Sequence, residues 1–293
     1  MSIMETESEF DMKHYLSLTG GSSEDTNTVN LNLLKSLVYN HVSNINYQNY
    51  DLLTGKEILD MTPNGLLQRL LVDRRGGMCY ETSELMFYVL FKLGFDVRRV
   101  AVSVLNDTNY DPTEPLVHNI LIVHLDGKMY LVDIGFGYNS IRWPVEFDFE
   151  KTEEKFVIPG EKYQLICEED YYQLNLFIKD RYASLYRFPR PITYIDHKQS
   201  MAYYHDLVTL PQTLYIRDSG IYFGVIVEGG RFCFSCDYTD GSASNFTFMS
   251  IQDGVTDKQK LEIDGFVDLV KKHSKFSIKN ENIEGKIIFK KAY

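Results

Sequence analysis

Apolar positions change period twice along this chain. From Val29 to His41, Leu31, Leu34, Leu37 and Val38 recur at helical spacing, and Pro63 to Val72 reads as a second helix. A third follows Cys79, with Leu85, Met86, Val89, Leu90 and Leu93 on one face and Gly94 as its C-terminal stop. The N-terminal third is thus predicted to be a helical bundle. Its first ten residues read as a loose extension, and Gly20 to Thr28 as a flexible loop. Period two then takes over: Val100, Val102 and Val104 alternate with smaller or polar neighbours, and VHNILIVHL, KMYLVDIGF, YYQLNLFIK and RYASLYRF follow. These closely spaced strands, apolar on both faces in places, predict a small barrel or a sheet covered by its neighbours. Beyond the break at Pro189 to Pro191 come a helix, the strands IYFGVIVEG and RFCFSCDYT, and a helix near Lys258 to Lys272, so the last third is mixed.

One turn sets a register. Asp126-Gly127 lies between two strand-like runs, and a type I′ turn needs positive φ at both central residues. A two-residue loop pairs Leu125 with Lys128, which puts His118 opposite Gly135 and Asp133 opposite Ile120. His118 and Asp133 are then diagonal neighbours on one face, with Cα atoms roughly 7–8 Å apart and Gly135 leaving the imidazole room. Taken singly, His118 reads as a satisfied strand histidine and Asp133 as a strand end. Together they read differently, because an acid inside the apolar run YLVDIGF is costly to bury without a partner. His124 shares the face of His118 but sits near the turn, too remote for the same carboxylate, and is expected to be exposed.

Composition narrows the setting. The 293 residues, 44% apolar and 14% aromatic, suffice for a sizeable core in two or three domains. A net charge of −11 argues against a nucleic-acid partner, though a local basic patch for one small anionic ligand stays open. No apolar run approaches the ~18 residues of a membrane span, and the start, MSIMETESEF, is polar and acidic. The expected compartment is therefore the cytoplasm, with no membrane partner. Four cysteines, Cys79, Cys167, Cys233 and Cys236, are too few for a disulfide framework and read as free thiols. Cys233 and Cys236 form a C-x-x-C inside a strand-like run with no second Cys or His pair, so ordinary strand packing is expected there and no metal.

Cys79 stands apart. In RRGGMCYETSEL, residues 74–85, the thiol follows two glycines and opens a helix. It could be a nucleophile, a metal ligand or a small core residue. Thiolates are favoured at helix N-termini and beside a histidine that can carry the proton. Gly76 and Gly77 would let the backbone turn sharply and a substrate approach without Cβ collisions. His118 lies 39 positions after Cys79, and Asp133 lies 15 after His118. Cys79, His118 and Asp133 can therefore act as nucleophile, base and orienting acid, on condition that the hairpin packs against the helix start.

These segments resemble the arylamine N-acetyltransferase family. Its motif R-G-G-x-C-x-E-x-N is matched by RGGMCYETS (Arg75 to Ser83), its histidine segment by LVHNILIV and its aspartate segment by YLVDIGFG. Weaker matches are DMKHYLSLTG, INYQN (Ile45 to Asn49), where the family often reads V-P-F-E-N, and TLPQTLY (Thr209 to Tyr215), similar to T-x-P-x-S-x-F. The likeness runs from roughly residue 11 to residue 240.

The resemblance implies an α+β fold with a cysteine-protease or transglutaminase-like core. Its parts would be an N-terminal helical bundle over 1–97 carrying Cys79, a central β-barrel over 98–192 carrying His118 and Asp133, and a C-terminal α/β lid over 193–293. It implies ping-pong acetyl transfer: acetyl-coenzyme A (acetyl-CoA) acetylates Cys79, coenzyme A leaves, and a small arylamine, hydrazine or arylhydroxylamine attacks the thioester. His118 would take the thiol proton, Asp133 would stabilise the imidazolium, and backbone N–H groups near Cys79 would bind the oxyanion. Phe136 and Tyr47 should line the acceptor pocket, and Thr213 and Tyr215 match the segment associated with the pantetheine arm. Arg75 is carried over as a structural brace. Glu81, in the first turn, is expected to cap the helix while slightly opposing thiolate formation. Ser83 replaces the motif asparagine, so Asp133 must be held differently or through water. Asn46, Tyr47, Gln48 and Pro115 also depart from the pattern, which bears on acceptor preference.

Other functions fit the same residues. An amide synthase could release a polyketide-like chain from a carrier through Cys79, and a hydrolase or transglutaminase-like enzyme could use the same Cys-His-Asp set. A catalytically inactive binding protein of the same fold is the third. The physiological acceptor, acyl-chain preference and oligomeric state are left open.

Overall fold

The computed structural model describes residues 10–22, 26, 28–53, 60–105, 116–178, 180–209, 220–239 and 242–274. Most of the expected N-terminal extension and part of the loop between Gly20 and Thr28 lie outside these, as do Pro115, Thr213 and Tyr215. Helix α1 (Met12–Thr19) begins where the Asp11 side chain accepts from the His14 N–H, and stops at Gly20 with a left-handed φ of 80°. Phe10, expected in the loose extension, is instead buried, its ring centroid 6.1 Å from that of Tyr15. Helix α2 (Leu31–Asn44) is capped by Asn30 and buries Leu33, Leu34, Leu37, Val38 and Val42. The short strand β1 (Tyr47–Gln48) and helix α3 (Tyr50–Leu53) follow. Thr62 and Pro63 start α4 (Pro63–Leu67), which runs on as a π-helical turn over Gln68–Val72.

Helix α5 (Cys79–Lys92) differs from the amphipathic helix expected. Leu85, Met86, Val89 and Leu90 do face the helical core, but every residue from Cys79 to Leu90 is buried. The helix is enclosed because its polar side chains find partners inside. Ser83 Oγ donates to the Asn119 carbonyl at 2.9 Å. Glu84 accepts from two Arg99 nitrogens at 2.6 and 2.7 Å and pairs with His197 Nδ1 at 2.7 Å. Such charge-assisted bonds offset the desolvation that otherwise excludes carboxylates from a core, while each buried aliphatic side chain contributes about 1.5–3 kcal/mol.

Eight strands make one antiparallel sheet: β2 (Asp96–Val104), β3 (His118–Leu125), β4 (Lys128–Val132), β5 (Val145–Glu146), β6 (Glu153–Ile158), β7 (Glu161–Cys167), β8 (Tyr171–Ile178) and β9 (Arg181–Pro189). Their order is β5-β4-β3-β2-β9-β8-β7-β6, and the edge strands β5 and β6 approach one another, so the sheet curls into a nearly closed barrel. The Asp126-Gly127 turn has φ values of 52° and 73° and pairs Leu125 with Lys128 and Leu121 with Val132, the register expected. Ile120, Ile122 and Leu131 point into the barrel, whereas Leu121, Val123 and Val132 join the helical core. Strand β3 is apolar on both faces because both faces are covered.

After α6 (His197–Thr209) comes a second antiparallel sheet in the order β1-β10-β11-β12-β13, with β10 (Gly220–Val227), β11 (Gly230–Thr239), β12 (Ser242–Gln252) and β13 (Val255–Lys260). Helix α7 (Ile263–His273) packs Phe266, Val267 and Val270 with this sheet's core. The helix expected near Lys258 therefore starts only at Ile263, because the preceding residues are an edge strand, and β12 adds a strand the pattern did not single out. Strand β1, from the N-terminal third, pairs Tyr47 with Gly224 and Gln48 with Phe223. Residues more than 170 positions apart thereby share one sheet.

Candidate active site

The entry to α5 is shaped by two glycines. Gly76 has a φ of 61°, and a Cβ there would fall 2.2 Å from the Asn46 carbonyl oxygen. A Cβ on Gly77 would fall 2.6 Å from Leu70 and 3.1 Å from the Glu81 carboxyl. The room expected for a substrate is thus filled by protein: Gly77 N–H donates to Asn46 O at 3.1 Å and Gln48 N–H to Gly77 O at 3.0 Å, drawing β1 alongside the helix start. Glu81 caps the helix as expected, its Oε2 accepting from the Met78 N–H at 2.9 Å. Arg69 Nε lies 2.8 Å from the other oxygen, an ion pair without hydrogen-bond alignment. Burial, helped by the charge of Asp51, outweighs Arg69 and the Met78 N–H and raises the Glu81 pKa to about 7. Arg75 pairs with Asp51, which also takes Arg69 and Gln48 at 3.1 Å each, so its guanidinium braces the segment before Cys79.

His118 opens β3 opposite Val102, and Asp133 directly follows β4. Their side chains meet: Nε2 lies 3.0 Å from Oδ1, with His118 2% exposed and Asp133 fully buried. The Gly135 N–H donates to the same oxygen at 3.3 Å. A Cβ on Gly135 would fall 2.7 Å from Cys79 Cα and 2.9 Å from Thr82 Oγ1. The missing side chain admits α5, and this close approach is what the hairpin needed in order to reach the thiol. Cys79 Sγ sits 3.6 Å from the carbonyl oxygen of Val117, the residue before His118. Burial alone would lower the His118 pKa. The charge and hydrogen bond of Asp133, then the Cys79 sulfur, overcome it and raise the value to about 10. With Nε2 given to Asp133, Nδ1 is the nitrogen left for the sulfur.

Ser83 does not join this group, since its hydroxyl is spent on the Asn119 carbonyl. The second oxygen of Asp133 turns instead toward Tyr186 of β9, which no feature of the sequence had marked. Neither Asp133 Oδ2 nor Tyr186 Oη has a partner of strict hydrogen-bond geometry. Burial first, then the charge and hydrogen bond of Asp133, push the Tyr186 hydroxyl well above its ordinary pKa. Tyr186→Phe would keep the ring contacts to His118 and Phe136, at 5.6 and 5.4 Å, and delete the donor. The expected result is a fall of about fivefold in the rate at which iodoacetamide alkylates Cys79 at neutral pH. An unchanged rate would remove Tyr186 from the support of Asp133.

A cavity of about 300 Å³ opens over Cys79 and His118. Phe136 and Tyr47 line it as expected, Phe136 edge-on to the imidazole with ring centroids 4.9 Å apart. Tyr138, Leu207, Tyr222, Phe223 and Cys233 complete much of the wall, and none carries a local signal of that role. Cys236 packs in the sheet core as a strand cysteine should, whereas Cys233, three positions earlier, faces the cavity. Both are free thiols, and burial pushes them up to about 12 for Cys233 and about 11 for Cys236. His124 is half-buried rather than exposed, with Nε2 2.9 Å from the Tyr194 hydroxyl. Among the described residues no helix is long and apolar enough to cross a membrane. A thiol beside an imidazole held by a carboxylate, under an aromatic pocket, has the parts needed to take up an acyl group and pass it to a nucleophile.

Residues 30–235 match the model of a family described as N-acetyltransferase. The chain is similar to the arylamine N-acetyltransferase of Mycobacterium tuberculosis, 35% identical over 161 residues that make up 54% of this chain and 56% of that protein. The match thus spans a little over half the length of this curated relative. Among solved structures, that of the M. tuberculosis arylamine N-acetyltransferase superposes with a TM-score of 0.75 at 26% identity, covering 95% of this chain and 100% of the other. The Mycobacterium marinum arylamine N-acetyltransferase in complex with CoA gives 0.74 at 26% identity, covering 89% and 90%.

Proposed function

Since this chain belongs to the arylamine N-acetyltransferase family, we propose that it carries an acetyl group from acetyl-CoA through a Cys79 thioester to the nitrogen of small arylamines or arylhydrazines, or to the oxygen of arylhydroxylamines. The observation that carries this reading is the meeting of Cys79, His118 and Asp133 under an aromatic cavity, with all three inside the matched stretch.

In the first half-reaction the Cys79 thiolate, its proton held by His118, attacks the acetyl carbonyl. As the carbon–sulfur bond to coenzyme A breaks, His118 returns the proton to the departing thiolate. In the second, the acceptor's nucleophilic nitrogen or oxygen attacks the Cys79 thioester, His118 takes the proton lost by that atom, and the acetylated product leaves Cys79 as the thiolate of an ion pair. Asp133 stabilises the imidazolium in each half. Backbone N–H groups at the start of α5 would bind the developing oxyanion. Thr213 and Tyr215 would meet the pantetheine arm. The helical, barrel and lid regions would follow the boundaries 1–97, 98–192 and 193–293. Four free thiols support a cytoplasmic setting.

Incubating the protein with acetyl-CoA and reading its intact mass tests the reaction. A gain of one acetyl group on Cys79, absent in Cys79→Ala and discharged by an arylamine, is the expected result. Discharge by water alone at the same rate would favour a hydrolase, and an adduct formed only from longer acyl thioesters would favour an amide synthase.

A further inference from the structure

The aromatic wall of the cavity carries hydroxyls. Tyr47 lies opposite Gly224 in the β1–β10 pair, and Tyr222 is two residues from Gly224 along β10. The two tyrosines are therefore diagonal neighbours on one face of the sheet, and both line the cavity. Tyr138 reaches the same wall from the turn after Phe136. That turn is pressed onto β10 at Gly224, where a Cβ would fall 2.6 Å from Gly137 C and Tyr138 N. The Tyr47 ring lies over Gly137, 3.7 Å from where its Cβ would be.

Three phenols from three segments are thus gathered beside Cys79. Burial, then the charge of Cys79, raises the Tyr47 pKa, with Glu81 and Tyr222 adding to it, and burial followed by Cys233 raises that of Tyr138 against a hydrogen bond from Asn139 and the charge of Arg231, with a smaller contribution from Tyr222. These influences couple Tyr222 to both Tyr47 and Tyr138, and Tyr47 to the Cys79 sulfur. Tyr47 and Tyr222 have no hydroxyl hydrogen bond within the protein among the described residues. Tyr47 is half-buried and Tyr222 is 37% exposed, and a wall phenol without a protein partner offers its proton to a ligand atom that accepts it.

We propose that Tyr47, Tyr138 and Tyr222 make this site select acceptors whose aromatic ring bears a hydrogen-bond-accepting oxygen, so that phenolic and ether-substituted anilines are preferred to alkylanilines. The inference rests on the acetyl-transfer reading above and names the substrate class of the same site. With the amine directed at the Cys79 thioester, the ring oxygen would be met by the tyrosine hydroxyls, whereas an alkyl group in its place would strip them of water and offer nothing in return.

The test uses matched pairs, 4-aminophenol against 4-methylaniline and 4-methoxyaniline against 4-ethylaniline. The ratio of kcat/KM within each pair is measured for the wild-type protein, for Tyr47→Phe, Tyr138→Phe and Tyr222→Phe, and for the triple variant. The substituent's effect on amine reactivity is common to every variant, so a change in the ratio reports the pocket alone. In the triple variant the oxygen-bearing member should lose about tenfold of its kcat/KM advantage over its alkyl partner. A ratio unchanged in the triple variant overturns the proposal. The same amines are also titrated by ligand-observed NMR without acetyl donor. If neither amine is acetylated but the oxygen-bearing member binds more tightly and loses that preference in the triple variant, the acetyl-transfer reading falls and the pocket assignment stands. Equal affinities in the wild-type protein sink the assignment itself.

Discussion

Asp133→Asn should slow acetylation of Cys79 by about 10³-fold while leaving the fold intact. The substitution keeps size and shape, and the Gly135 N–H, 3.3 Å from Oδ1, favours an acceptor at that atom, so the amide oxygen would still receive His118 Nε2–H. What disappears is the negative charge. His118 is buried, which lowers its pKa, and Asp133 is the larger of the two influences that lift it to about 10. Without that charge the imidazolium loses about 1.4 kcal/mol for every pKa unit by which the value falls, and in the proposed reaction the base that takes the Cys79 proton is weakened to that extent. The pH dependence has a definite sign. A histidine whose pKa is raised on folding stabilises the protein fully below its unfolded value of about 6.5 and loses that contribution as pH rises through the folded value. The stability gap between wild type and variant should therefore be largest near and below pH 6.5 and close as pH approaches about 10. Single-turnover acetylation followed by mass, with an NMR titration of the His118 ring, checks both parts. A variant within about tenfold of the wild-type rate would show that the carboxylate's charge is not what activates the thiol.

The His118–Asp133 pair is legible in the sequence because its cause is local. Asp-Gly fixes a two-residue turn, the turn fixes the register, and the register puts both side chains on the barrel face. The same rule applies at Asp253-Gly254, where φ values of 48° and 80° join β12 to β13 and pair Gln252 with Val255. There the flanking VTDKQK is almost wholly exposed and carries no alternation, so a charged edge strand reads as the first turn of the helix behind it. The start of α5 is equally local, but its enclosure is not. Glu84 can be buried only because Arg99, 15 positions on, and His197, 113 positions on, bring charge to it. Distance likewise hides why Gly77 and Gly135 matter: each makes room for another stretch of protein, Gly135 for the helix that carries the thiol. Ser83 shows the reverse case. Its local motif position points to Asp133, yet a strand carbonyl in reach of its short side chain takes the hydrogen bond instead.

Glu161→Gln should destabilise the protein by about 3–5 kcal/mol, a large share of the 5–15 kcal/mol typical of a folded domain. Glu161, at the start of β7, is shared by two buried arginines, Arg142 and Arg231, and is the one carboxylate paired with either among the described residues. Arg142 is 1% exposed and Arg231 2%. Arg142 binds the Val227 and Gly230 carbonyls at 2.7 Å each, and Arg231 binds the Tyr138 carbonyl at 2.8 Å, so the cluster ties the barrel to the five-stranded sheet. Two guanidiniums already exceed one carboxylate. Glutamine would leave both without a counter-charge, and arginine cannot shed its proton to escape the cost. Chemical denaturation at neutral pH reads the effect, with Glu146→Gln as the control: its pair with Lys128 is exposed and should contribute nothing measurable. Adding Arg231→Met to Glu161→Gln should recover part of the loss, because it removes one of the two stranded charges, and that non-additivity distinguishes an electrostatic cause from a packing defect. Because Arg231 also holds the turn that carries Tyr138, Glu161→Gln should raise KM for the acceptor at temperatures where the variant is still folded. A stability loss no greater than that of the Glu146 control would mean that backbone carbonyls and Tyr163 satisfy the arginines on their own.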